Sequence, residues 1–136
     1  MVATQNICDT TLALVVRVRE DLLEIRFKEG IKMDLAGLEE ITTARRTLFP
    51  TPSRLGCISL IPESADFHLS ASHVDHFAHP HDGLIAVAVV ARGAMLEMMT
   101  KLYFSYFPQR FQVLATNNEG EARQWMEQQL ARTIQQ

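Results

Sequence analysis

Leu84-Ile-Ala-Val-Ala-Val-Val90, then Ala94 to Phe107, then Phe111-Gln-Val-Leu-Ala115, then Glu119 to Leu130 follow one another near the C-terminal end. The first run is apolar, uncharged and rich in β-branched residues, the composition of a strand buried on both faces. Ala94 to Phe107 reads as a long helix that Pro108 ends. Asn118 is a good helix cap, and Glu121 three residues later completes a capping-box pattern. Ala122, Trp125, Met126, Gln129 and Leu130 then recur at helical spacing, a stripe for packing on a sheet. The order strand, helix, strand, helix predicts parallel pairing with right-handed crossovers.

Working back toward the N-terminus, Leu12 to Val18 reads as a strand, with the polar residues 1–10 before it frayed or forming a short edge segment. Leu22-Leu-Glu-Ile-Arg-Phe-Lys28 alternates, with Leu23, Ile25 and Phe27 on one side and Glu24, Arg26 and Lys28 on the other. Only Arg19-Glu-Asp21 separates the two runs, so a hairpin is expected. One face of the second strand should meet water or a charged neighbour. Asp34 caps a helix whose stripe is Leu35, Leu38, Ile41 and Leu48, and Pro50 and Pro52 end it. Arg45 and Arg46 read as a solvated helix end that suits the dipole. Leu55 to Ile61 is a third buried strand, and a short helix from about Ala71 to Phe77, capped by Ser70, precedes the turn Ala78-His-Pro-His-Asp-Gly83. The sum is a mixed α/β fold with a five-stranded mixed sheet and helices mainly on one face, in a single domain over residues 1–136.

Composition narrows the function. With 136 residues, nearly half of them apolar, the chain can bury a core. A formal charge of -3 disfavours a nonspecific nucleic-acid binder, and the aromatics Tyr103, Phe104 and Tyr106 lack surrounding Arg and Lys. No run approaches the length of a membrane span, and Met1 to Thr11 lacks the basic and apolar segments of a secretory signal, so a cytoplasmic protein is expected. Cys8 and Cys57 have no motif spacing; Cys57 reads as core.

Chemistry-bearing motifs are sparse. All five histidines lie between His68 and His81, and His73, His76, His79 and His81 are the candidate metal ligands, imidazole suiting zinc, nickel or iron. No His-Glu-x-x-His pattern is present. Protonating all five would move the formal charge from -3 to +2. Since unperturbed imidazole titrates near pH 6.5, an interface that uses this segment should weaken below about pH 6. An association constant unchanged between about pH 8 and 5.5 would contradict that. Arg92 and Gly93 open a helix after a strand, the place for a small anion. Serines are available but no Gly-x-Ser-x-Gly elbow exists. No cofactor is implied, and catalysis is the weaker expectation.

The helix 94–107 departs most from the ordinary. A helix covering a small sheet needs one apolar face. Here Met95, Leu96, Met98, Met99, Leu102, Tyr103, Phe104, Tyr106 and Phe107 cover nearly the whole circumference, with only Glu97 and Lys101 charged. Its far side should therefore meet something. Met95, Met98, Met99, Leu102, Phe104 and Tyr106 are the candidate contact residues, for a subunit or for a small apolar ligand, and methionine suits an adaptable surface.

Ala86-Val-Ala-Val-Val-Ala-Arg92, the helix to Phe107, Pro108 to Ala115, Asn118-Glu-Gly-Glu-Ala122 and Trp125-Met126 together resemble the small bacterial STAS/SpoIIAA-like proteins of uncharacterised function. The resemblance covers 84–130 in motif and 12–130 in element order. It implies a mixed sheet with helices largely on one face, often in a dimer. The broadly apolar helix 94–107 and the lack of a catalytic set point to a non-enzymatic, regulatory domain that acts through protein contacts, as a homodimer and with a regulatory partner. Some relatives bind lipids or small apolar molecules. The phosphorylated Asp-Ser-Ser-Gly of the anti-sigma-factor antagonists is missing; the region reads Ile61-Pro-Glu-Ser-Ala-Asp66. Three readings stand: a protein-contact domain, a lipid or small-molecule module, and a metal-dependent enzyme using segment 68–81.

Overall fold

The computed structural model describes residues 6–52, 54–77 and 82–134. Its strands are β1 (Ile7–Asp9), β2 (Ala13–Arg19), β3 (Leu22–Phe27), β4 (Lys32–Met33), β5 (Leu55–Ile61), β6 (Asp66–Phe67), β7 (Leu84–Ala91) and β8 (Gln112–Thr116). Its helices are α1 (Leu35–Leu48), α2 (Leu69–Ser72), α3 (Ala94–Tyr106) and α4 (Glu119–Ile134). One sheet has six strands in the order β1-β2-β3-β5-β7-β8, and β4 pairs with β6 in a separate two-stranded ladder. β1 to β2 and β2 to β3 are antiparallel; β3 to β5, β5 to β7 and β7 to β8 are parallel.

The expected five-strand count is corrected to six. Ile7 to Asp9 pairs with Leu14 to Val16 and is the short edge segment that the sequence reading sets beside fraying, without counting it in the sheet. The hairpin between β2 and β3 forms as expected, with Ile25 opposite Val15.

Side-chain alternation divides the sheet into two buried layers. On one face Val15, Leu23, Ile25, Cys57, Val87 and Val89 pack with Ile41, Ala44 and Leu48 of α1 and Leu96 of α3. On the other, Leu22, Ile58, Ala86, Ala88 and Val90 meet Ala122, Met126 and Leu130 of α4. α1 and α3 thus share a face and α4 lies alone opposite. Gly56 permits that approach, since an added Cβ would stand 2.5 Å from Met126 Sδ.

Local signals explain the helix starts. Asp34 accepts from the Gly37 N–H at 2.8 Å, and Asn118 Oδ1 from the Glu121 N–H at 2.9 Å. The capping box of Asn118 and Glu121 is only half built, because the Glu121 carboxylate takes the Thr116 hydroxyl instead. α2 is shorter than expected, and its cap is His68, whose Nδ1 accepts from the Ser70 N–H at 3.0 Å.

The reading of Arg45 as solvated is also corrected. Its side chain is 5% exposed, and Nη2 donates to Asp82 Oδ2 at 2.9 Å, while Arg46 Nε donates to Oδ1 at 3.0 Å. The Arg45 guanidinium lies over the Phe77 ring at 5.8 Å, and its Nη1 has no hydrogen-bond partner. No helix of the described residues is long and apolar enough to cross a membrane.

Candidate functional site

α3 starts at Gly93, whose φ of 106° is left-handed backbone that glycine accommodates. Toward the sheet it buries Leu96, and Thr100 Oγ1 donates back to the Leu96 carbonyl at 2.8 Å. Phe104 also faces inward, stacked on Phe77 at 5.8 Å, with Phe111 edge-on to Phe77. Tyr103 fastens the flank. Its hydroxyl donates to the Val74 carbonyl at 2.6 Å and accepts the His76 N–H at 2.9 Å, while its ring stacks with His76. Burial pushes that hydroxyl up to about 12, so it stays a neutral donor.

Among the described residues the outward side has no such cover. Met95 is 67% exposed, Met98 55%, Leu102 52% and Tyr106 81%. These four recur at spacings of three and four, so they form one stripe along the helix. A groove of about 560 Å³ runs along one side of it, lined by Phe67, His73, Met99, Tyr103 and Phe107 together with Leu102 and Tyr106 of the stripe itself. Lys101 Nζ and Glu97 pair at 3.2 Å on the opposite border. The structure therefore sorts the sequence candidates: Met95 and Met98 lie outward, Leu102 and Tyr106 lie outward and also line the groove with Met99, and Phe104 is partly buried against the core.

Phe104 instead helps line a cavity of about 90 Å³ beneath α3, with Phe27, Met33, Phe67 and Phe77 among its walls. That volume equals about three water molecules.

Arg92 and Gly93 lie where the sequence places them, at the carboxyl ends of the parallel strands. A cleft of about 800 Å³ opens there, lined among others by Arg26, Glu29, Glu63, Ser64, Arg92 and Glu119. Its cations are engaged: Arg92 with Glu119 at 3.0 Å, and Arg26 with Glu24 at 2.9 Å. Three carboxylates against two guanidiniums give no bias toward an anion. Ser64 is held as well, donating to Glu29 at 2.5 Å and accepting the Gly30 N–H at 2.8 Å.

Of the candidate metal ligands, His73 is exposed, and His76 Nε2 is 2.9 Å from the Ala71 carbonyl. His79 and His81 lie outside the described residues. Among the described residues no group of three or more His, Cys, Asp or Glu side chains could hold a metal ion. Burial pushes the Cys57 thiol up to about 11, which keeps it protonated and unreactive at neutral pH.

Sequence reasoning missed the ion network under α4. Glu24, buried on the face α4 covers, accepts from Arg123 at 2.5 Å and from Arg26 at 2.9 Å, and Arg123 reaches Glu119 at 2.8 Å. The visible signal was a carboxylate inside the strand Leu22–Phe27. Burial pushes the Glu24 carboxyl up, but the bonds from Arg123 and Arg26 outweigh it and hold the group below its ordinary 4.5. The pair's stabilisation is therefore complete above that value and is lost as pH falls through the depressed one. Glu24→Gln should cost about 1–2 kcal/mol at pH 7, the partly solvated arginines discounting the gain. That difference should shrink toward pH 3 in urea titrations. A difference independent of pH would contradict the network's role.

No protein-family model matches the chain, and no curated protein or solved structure matches it.

Proposed function

We propose that this chain is a STAS/SpoIIAA-like domain that works by binding protein rather than by catalysis, as a homodimer joined through α3 within a regulatory assembly. One observation carries the reading: the apolar stripe Met95, Met98, Leu102 and Tyr106 stands bare on the single chain. A contiguous apolar surface of this kind, bordered by charge, is the mark of a contact site. The mixed sheet and the terminal helix on Met126 agree with the resemblance, and the sixth strand extends the sheet at the edge remote from α3. Sedimentation equilibrium of the intact chain tests the proposal. A mass of two chains that falls to one on dilution is expected; one chain at every concentration would overturn it.

A second reading, a small-molecule module, draws on the cavity of about 90 Å³ beneath α3. Its size suits a ligand of a few heavy atoms, and an acyl chain would have to displace Phe77 or Phe104.

A further inference from the structure

We infer that the two copies meet through antiparallel α3 helices, on a two-fold axis level with Thr100. This rests on the homodimer reading and adds its geometry.

The stripe is self-complementary in the antiparallel direction. Helix residues rise about 1.5 Å each, so Met98 and Leu102 lie about 3 Å on either side of Thr100. A perpendicular two-fold at that level sets Met98 against the partner's Leu102, and the partner's Met98 against Leu102. Met95 and Tyr106 lie about 7.5 Å and 9 Å from it, on opposite sides. They therefore oppose each other across the pair, and a thioether against an aromatic ring is a favourable contact. Tyr106, the most exposed of the four, gains most from cover.

Charge agrees with that direction. A two-fold perpendicular to the helices sets each border of the stripe against the same border of the partner. Glu97 and Lys101 share one border and already pair at 3.2 Å within the helix. In the antiparallel arrangement each Lys101 also lies about 3 Å along the helix from the partner's Glu97, and since the two Lys101 approach each other as closely, two attractive crossings stand against one repulsive. A parallel pair would set that border against the groove of Met99 and Tyr103, leaving the charges no opposite charge across the seam and aligning the helix dipoles unfavourably. Such self-complementarity is what an isologous interface demands.

The test is charge reversal followed by mixing, read by sedimentation. Glu97→Lys alone brings like charges together across the axis, and so does Lys101→Glu alone. Each should weaken self-association about tenfold. Mixed in equal amounts, the two variants restore opposite charges at every crossing and should form a heterodimer at least as tight as the native pair. A second readout uses a Cys8→Ser background, in which Met98→Cys mixed with Leu102→Cys should cross-link as 98 to 102 in preference to 98 to 98. A native dimer indifferent to both reversals, or one that cross-links mainly 98 to 98, overturns the antiparallel arrangement and leaves the homodimer standing. A native chain that never associates overturns both.

Discussion

Met98→Glu is expected to weaken self-association by at least about a hundredfold while leaving the fold intact. Symmetry makes the effect large, because each substitution enters the interface twice. Two carboxylates would be desolvated next to Leu102 and near the existing Glu97, with no new cation to meet them. The single chain should hardly notice, since Met98 is 55% exposed there and a charge can stay in water. Light scattering should report single chains, with native circular dichroism and the urea midpoint that the native protein shows when diluted below its dissociation constant. Phe104→Glu is the contrasting variant. Phe104 packs on Phe77 beneath the helix, so a carboxylate there should lower the midpoint before any effect on assembly is read. If Met98→Glu dimerises like the native chain, the stripe is not the interface.

Asp82→Ala carries the largest expected cost to stability, about 3–5 kcal/mol. Arg45 would keep its charge and lose its buried carboxylate, and Nη1 is already without a hydrogen bond. Arg46, half solvated, could turn to water; Arg45 has no such route. The ion pair also holds the start of β7 against α1, with Phe77 under the guanidinium. Urea denaturation measures the loss, and a change within about 1 kcal/mol would show that the pair contributes little. Replacing Arg45 and Asp82 together with apolar residues should cost less than Asp82→Ala alone, because no unpaired charge remains.

These two sites differ in how far the sequence announced them. The stripe on α3 was legible because it is a local pattern: too many apolar residues for one helix face, broken only by Glu97 and Lys101. The strand Leu84–Ala91, the alternation of β3 and the caps Asp34 and Asn118 were legible for the same reason, each being set by neighbours a few residues away. Arg45 with Asp82 spans 37 residues, and Glu24 with Arg123 spans 99. No periodicity encodes such pairs; the crossovers of the sheet bring them together. The inward turn of Phe104 was hidden likewise, because an all-round apolar helix does not say which side meets the sheet until the strand beneath it is placed.

Methionine oxidation followed residue by residue across a dilution series tests the covering of α3 most directly. Met126, fully buried between α4 and the sheet, supplies the internal reference. Met95 and Met98 should oxidise several-fold more slowly in concentrated protein than in dilute protein, with a midpoint equal to the dissociation constant from sedimentation. Rates for Met95 and Met98 that stay fast and identical at every concentration would mean that water, and not a second copy, faces this helix.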